Sequence, residues 1–250
     1  MPRINPVLHL AVTIIALIPV VLSFDAYTPL CFVAFGLVQL LLLGREPVRT
    51  LFRVLGPLLV IPAGLFVMNL FFSAPVAHDE IYRFSILRIR AYSLHRAIVL
   101  SLRSLALIVL SVGYFFSTRP QELVNSLMQQ LGLSPRVGYA LYVAWNTIPL
   151  LRENFRQIES THKIRLRGRP RTLRDFLPTA VTLLTGAIRH AERASISMAA
   201  RGIESDSPRS YLCESRFRAR DVVYVAISVT VIGIIWYLLV AKGLFVFGLD

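Results

Sequence analysis

The stretch AIVLSLRSLALIVLSVGYFF runs from Ala97 to Phe116, with one charge, Arg103, in 20 residues. A transmembrane helix needs about 20 consecutive, mostly apolar residues to cross the hydrocarbon core of a bilayer. The stretch therefore predicts a membrane-spanning helix. An arginine inside such a helix is a candidate functional residue. The alternative is that Arg103 reaches the interface or pairs with Asp25 or another helix.

Four further apolar runs predict membrane helices, at Val7–Phe24, Leu30–Leu43, Gly56–Phe72 and Val222–Val240. The composition agrees, because 55% of the 250 residues are hydrophobic and only 16% are charged. A soluble domain has about 25% charged residues. We therefore predict an all-α integral membrane protein with about five transmembrane helices.

Residues 117–221 form a different kind of segment, in which basic residues outnumber acidic ones. Cytoplasmic segments of membrane proteins collect Lys and Arg. We predict membrane helices 1–4 in residues 1–116, a cytoplasmic domain of about three helices in 117–221 and the last membrane helix in 222–250. The N-terminus is then cytoplasmic, and so is the loop Gly44–Leu55, which carries Arg45, Arg49 and Arg53. The loop 73–96 fits this topology poorly, since it would be external yet carries four arginines.

Two long helices in the cytoplasmic domain are each expected to end in an arginine followed by glycine, Arg167-Gly168 and Arg201-Gly202. Glycine is the usual residue just past a helix end. Arg201 continues the apolar stripe of its helix, where its planar fork could bind carboxylates of another protein. Arg189 and Arg193 would extend the positive charge. The alternative is a solvated helix end whose cation faces the helix dipole.

Sequence motifs for catalysis are missing. The chain has no G-x-x-x-x-G-K-[ST] loop for ATP, no H-E-x-x-H or clustered Cys/His set for a metal and no G-x-S-x-G nucleophile motif. The spans also lack carboxylates, which ion-coupled transporters usually carry. We therefore expect no enzyme activity, no cofactor, no metal and an external source of energy.

Four segments carry a resemblance to a known family, YFFSTRPQELVNSL (114–127), IPLLRE (148–153), THKIRLRGRP (161–170) and SISMAARG (195–202). They resemble the T component of energy-coupling factor (ECF) vitamin transporters, the membrane scaffold of that ABC-type system. The family carries two Ala-Arg-Gly-like signatures at the ends of two cytoplasmic coupling helices. Here Leu166, Arg167 and Gly168 resemble the first, and Ala200, Arg201 and Gly202 the second.

The resemblance implies a mechanical function. Residues 117–221 would be the coupling domain, and both signatures would dock into two cytoplasmic ABC ATPase subunits. Their movement would reach a membrane S component that binds a vitamin or another micronutrient. The location would be the inner or plasma membrane of a bacterial or archaeal cell.

Three other functions fit the sequence less well. A permease subunit of a conventional ABC importer also docks ATPases, but usually by one short coupling helix. A membrane-embedded transferase would need a constellation that Asp175, His162, His190 and Glu192 do not form by spacing. Nucleic-acid binding is disfavoured, because the positive-inside rule accounts for the basic charge.

Overall fold

The computed structural model describes residues 4–44, 48–72, 81–84, 87–165, 173–203, 211, 215 and 217–242. Its elements follow the chain in this order: α1 (Pro6–Leu22), α2 (Tyr27–Leu43), α3 (Val48–Leu58), α4 (Val60–Phe72), β1 (Ile81–Phe84), β2 (Leu87–Arg90), α5 (Ala91–Ser117), α6 (Pro120–Gln130), α7 (Pro135–Arg165), α8 (Leu173–Ala200) and α9 (Ala219–Ala241). The predicted all-α membrane fold is confirmed. The predicted three helices between the fourth and fifth spans, two of them long, are α6, α7 and α8.

Three helical stretches of the described residues are long and apolar enough to cross a membrane, Arg49–Phe72, Ser93–Ser117 and Ala219–Ala241. They contain the third, fourth and fifth predicted spans. The first two predicted spans are the apolar helices α1 and α2, with 17 residues each. Such a helix is about 25 Å long, slightly shorter than the hydrocarbon core of about 30 Å. The count of five spans therefore stays a prediction.

Two segments expected as loops contain regular structure. The segment before the third span forms α3, which continues into α4 after a turn at Leu59. The break has a local cause, because Pro62 has no N–H to donate to the carbonyl four residues earlier. In the expected loop 73–96, β1 pairs with β2 as an antiparallel hairpin, with Ile81 opposite Arg90. The next helix, α5, already begins at Ala91.

The chain divides into two compact units. We call residues 1–119 and 216–250 the membrane unit, and residues 120–215 the coupling unit. In the membrane unit, α5 packs against α1, α2, α3 and α4, and α9 packs against α1 and α2. In the coupling unit, α7 packs against both α6 and α8.

The core of the membrane unit comes from four helices. Its buried apolar side chains are Val12, Ala16 and Val20 of α1, Phe32 of α2, Ala106 and Leu110 of α5, and Ile232 of α9. Helices α2 and α5 approach closely at Gly36, where a Cβ atom would lie 3.0 Å from Cγ1 of Val109. Small residues allow this kind of contact between membrane helices.

Long-range contacts bring four helix ends of the membrane unit together. The backbone N–H of Asn5, before α1, donates to Oδ1 of Asp221 in the first turn of α9 at 3.1 Å. The His9 ring of α1 lies 5.3 Å from the ring of Tyr114, near the end of α5. Near the end of α2, Nε2 of Gln39 donates to the Tyr224 hydroxyl of α9 at 2.8 Å. The predicted topology requires these four ends on one side of the membrane, which fits these contacts. That this side is cytoplasmic stays a prediction from charge.

Candidate partner-docking site

The second predicted signature lies where α8 ends. Gly202 has φ of +75°, the left-handed conformation expected of glycine at this position. The N–H of Ile203 donates to the Met198 carbonyl at 3.2 Å, and that of Gly202 to the Ala199 carbonyl at 2.9 Å. These two bonds are those of a Schellman motif, which satisfies carbonyls that a helix end otherwise leaves unpaired.

This helix end leaves the Arg201 side chain exposed on the protein surface. Its backbone N–H still bonds the carbonyls of Ser197 and Met198, so its position is fixed by the helix. Arg201 is exposed, as are Ala199, Ala200 and Gly202 around it. Small exposed neighbours leave room for another protein to approach the guanidinium closely.

The two supporting arginines, Arg189 and Arg193, are exposed on the same helix. At 3.6 residues per turn, Arg193 lies about 80° around the helix from Arg201, and Arg189 about 120°. Both therefore lie to the same side of the Arg201 direction, about 40° from each other. Their part in binding a partner stays a prediction.

The first signature, Leu166, Arg167 and Gly168, lies outside the described residues. The described part of α7 ends one residue before it, at Arg165. Within the described residues, α7 and α8 contact each other through Oγ1 of Thr147 and Nε2 of His190, 3.3 Å apart.

The two long helices also expose large apolar side chains. On α8, Leu184 is 62% exposed and Ile188 51%, although both belong to the predicted apolar stripe. On α7, Trp145 and Ile148 are exposed by 44% and 48%. Large apolar side chains exposed together on a helix are typical of surfaces that contact another protein or a membrane.

Arg103 has partners at the other end of α1. Its guanidinium donates to the Val21 carbonyl and lies 5.3 Å from the centre of the Phe24 ring. Val21 stands in the last turn of α1, where carbonyls have no partner within the helix. The predicted alternative partner, Asp25, is engaged by the N–H of Thr28, which donates to its Oδ2 at 2.7 Å. This geometry assigns Arg103 a stabilising contact at the α1–α2 turn.

Sequence analysis missed a buried polar cluster in the membrane unit, formed by His9, Gln39, Tyr114 and Tyr224. His9 is only 3% exposed, and its ring contacts both tyrosine rings, at 5.3 and 5.8 Å. The available signal was a histidine and a glutamine inside otherwise apolar runs. Contacts between four separate helices join these residues, and a single sequence does not reveal such pairings.

Metal ions require sets of ligand side chains, and the cysteine content of the described residues is small. Those residues contain no group of three or more His, Cys, Asp or Glu side chains that could hold a metal ion. Cys31 is a free thiol. Cys213 lies outside the described residues.

Known proteins similar to this chain are membrane transport components. A family model described as cobalt transport protein, CbiQ, matches residues 1–211. An energy-coupling factor transporter transmembrane protein EcfT from Exiguobacterium sibiricum is 26% identical over 200 residues, which cover 74% of each chain. The protein of the same name from Brevibacillus brevis is 24% identical over 209 residues, 78% of each chain.

Proposed function

This chain belongs to the CbiQ family of cobalt transport proteins, and we propose that it couples paired ATPases to substrate uptake in an ECF-type importer. The family match and the two relatives confirm the predicted resemblance to ECF T components. The chain is thus a membrane component of a transport system. The ATPases, the S component and the coupling between them are what we propose.

The observation that carries the proposal is the end of α8. A fixed, exposed Arg201 between small residues is suited to enter a groove on a protein partner and pair with carboxylates there. This partner would be one of two cytoplasmic ABC ATPase subunits. Because the chain has no ATP-binding loop motif, the partner would also supply the energy.

The arrangement of α7 and α8 favours two docking points far apart. Their contact at Thr147 and His190 lies about 27 and 25 Å along the helices from Arg165 and Leu173, at 1.5 Å per residue. Two antiparallel helices joined by a link, here residues 166–172, contact each other at points that lie equally far along each helix from that link. The link would then lie at one end of α8 and Arg201 at the other, a separation of about 42 Å for a 28-residue helix. Such a separation suits two ATPase subunits better than one.

The exposed apolar faces of α7 and α8 suit a second partner, the membrane S component. Leu184 and Ile188 lie on one side of α8 and would be covered by its hydrophobic surface. The ATPase stroke would reach the S component through these faces. The coupling unit would be cytoplasmic, and the protein would span the cell membrane several times.

The proposal is tested by capture of the ATPases from native membranes with affinity-tagged Arg201→Ala and with Arg189→Ala as the matched control. Loss of one partner of a buried charge pair costs about 2–5 kcal/mol, which is about 30-fold or more in affinity. We expect Arg201→Ala to insert normally but to lose the ATPases, and Arg189→Ala to lose less. Equal capture by Arg201→Ala and wild type would contradict the proposal.

Gly202→Ala tests the helix end itself. Alanine in the left-handed conformation costs about 1–2 kcal/mol, so the Schellman motif would open and Arg201 would lose its fixed position. We expect ATPase capture between that of wild type and Arg201→Ala. Gly186→Ala is the control, since a Cβ atom there meets nothing within 4 Å.

The same capture experiment separates this function from that of a conventional ABC permease. Co-purification of a small, very hydrophobic membrane protein supports the T-component function. Co-purification of a soluble substrate-binding protein instead supports the permease.

A further inference from the structure

Ser215, in the segment between α8 and α9, is held on α6 by several hydrogen bonds. Its backbone N–H donates to Oε1 of Gln129 at 2.6 Å. Nε2 of Gln130 donates to its carbonyl at 3.1 Å and to its Oγ at 3.0 Å. Its Oγ also lies 2.8 Å from Oγ of Ser126. We call these four residues the Ser215 latch.

The direction of the hydroxyl bonds follows from counting hydrogens. Oγ of Ser126 donates its one hydrogen to the Glu122 carbonyl at 2.9 Å. Ser126 must therefore accept from Oγ of Ser215, which in turn accepts from Gln130. The side-chain bonds thus run in one direction, from Nε2 of Gln130 through the two serine hydroxyls to the Glu122 carbonyl. Ser126 is only 1% exposed. A buried, directed chain of this kind fixes one geometry.

The latch sits at the chain's exit from the coupling unit. This unit begins at Pro120 and ends at Ser215. Both of its covalent connections to the membrane unit therefore start from α6, one directly and one through the latch. The exit is also anchored further on, because Asp221 accepts from the N–H groups of Asn5 and Arg218.

We infer that Ser215 is a positioning residue for coupling, which keeps the exit segment on α6 throughout the ATPase cycle. This inference rests on the proposed function. With the latch closed, a displacement of the coupling unit is passed to both α5 and α9 through the same helix, α6. Without it, the covalent connection through Ser215 would transmit less of the displacement to α9.

The first test asks whether the latch stays closed in the complex with its ATPases. In a Cys31→Ser/Cys213→Ser background, Ser126→Cys and Ser215→Cys bring two thiols together where the hydroxyl oxygens are 2.8 Å apart. We expect equal disulfide formation without nucleotide, with MgATP and with MgADP–vanadate. The control pair, Gln121→Cys with Ser126→Cys, should react at least about tenfold more slowly, since five residues along α6 separate the Cα atoms by at least about 7.5 Å, beyond the range of a disulfide.

The second test asks whether the latch matters for turnover. Gln130→Ala/Ser215→Ala removes three of the bonds to α6, and Gln157→Ala/Ser160→Ala makes matched changes on the exposed side of α7. In the reconstituted complex, we expect the latch variant to lower kcat for ATP about tenfold with unchanged KM, as for the loss of one to two net hydrogen bonds. Ser215→Thr alone should keep the wild-type kcat, because threonine retains the hydroxyl that bonds Ser126 and Gln130, and the control should match wild type.

The outcomes separate the two proposals. A fall in cross-linking in any nucleotide state overturns the latch, as does equal kcat in the latch variant and its control. Should the latch variant fail to assemble, the oxidised Ser126→Cys/Ser215→Cys protein provides the test. A latch that stays closed can be locked by a disulfide without loss, so the oxidised protein should keep the turnover of the reduced form, and a lower turnover would overturn the latch. Normal ATPase capture by Arg201→Ala would overturn the proposed docking while leaving the cross-linking result intact.

Discussion

The two units of the molecule bury apolar side chains to very different extents. The membrane unit has a core contributed by α1, α2, α5 and α9. In the described residues of the coupling unit, Met128 is the one large apolar side chain that is buried. Its long helices expose Leu184, Ile188 and Trp145 instead. The membrane unit is thus largely complete as one chain, whereas the coupling unit presents surfaces suited to partners.

Exposed apolar side chains have different meanings in the two units. In the membrane unit, Leu42 and Phe72 are 73% and 82% exposed, as expected where the solvent is lipid. In the coupling unit, α7 and α8 carry arginines and glutamates beside their apolar faces. An amphipathic helix with an uncovered apolar face is typical of binding surfaces. Four substitutions sharpen this difference.

The largest effect is expected in the core of the membrane unit. Phe32→Ala removes a fully buried ring and should lower the free energy of unfolding by about 3–5 kcal/mol. Unfolding in mixed detergent micelles measures it. Phe115→Ala, at a ring 67% exposed, is the control and should have little effect. An equal loss of unfolding free energy in both variants would contradict this, because it would mean that the two rings are equally well packed.

A charge on the apolar face of the coupling unit should affect assembly rather than stability. Ile188→Glu should leave the unfolding of the free chain within about 0.5 kcal/mol. It should reduce recovery of the complete complex about tenfold, or about 1.4 kcal/mol, because the carboxylate would be buried against a partner. Thr182→Glu, about 120° around α8, is the control. Destabilisation of the free chain would mean that the face is covered within the chain itself.

An effect of similar size, but on stability rather than assembly, is expected between α6 and α7. A Cβ atom at Gly138 would collide with Sδ and Cγ of Met128, so Gly138→Ala forces the buried Met128 side chain away from α7. We expect a loss of about 1–2 kcal/mol, measured by thermal unfolding. Gly186→Ala in α8 is again the control and should be neutral or slightly stabilising.

The smallest effect concerns the buried polar cluster of the membrane unit. Gln39→Leu removes the hydrogen bond to Tyr224 and should cost about 0.6 kcal/mol, the average for such bonds between membrane helices. Tyr224→Phe removes the same bond from the other side. A double-mutant cycle with both changes should therefore show coupling, and strict additivity would contradict a direct bond.

Sequence reasoning succeeded where the signal is local. The run from Ala97 to Phe116 lies within α5, and Gly202 has the positive φ expected just past a helix end. It failed at α3, where Arg49 and Arg53 made an amphipathic helix resemble a cytoplasmic loop. At the start of α5, Arg96 had the same effect. Charge marks the ends of apolar runs, but a helix can continue past them.

Contacts between distant residues were beyond sequence reasoning. Arg103 was recognised as unusual, but its partner is the Val21 carbonyl, and carbonyls are present at every residue. The Ser215 latch depends on a serine in a polar segment that resembles a plain linker. The proposed docking role of Arg167 and Arg201 rests on the family resemblance, because an arginine at a helix end is common in any protein.

The bond between Asn5 and Asp221 joins positions 216 residues apart. During synthesis, α1 therefore enters the bilayer long before its neighbour α9 exists. Its polar face, with His9 at the centre, has no α9 to pack against until the ribosome has nearly finished. We expect release of the last helix to be the step that completes the membrane unit, and chains truncated before it to be cleared by quality-control proteases.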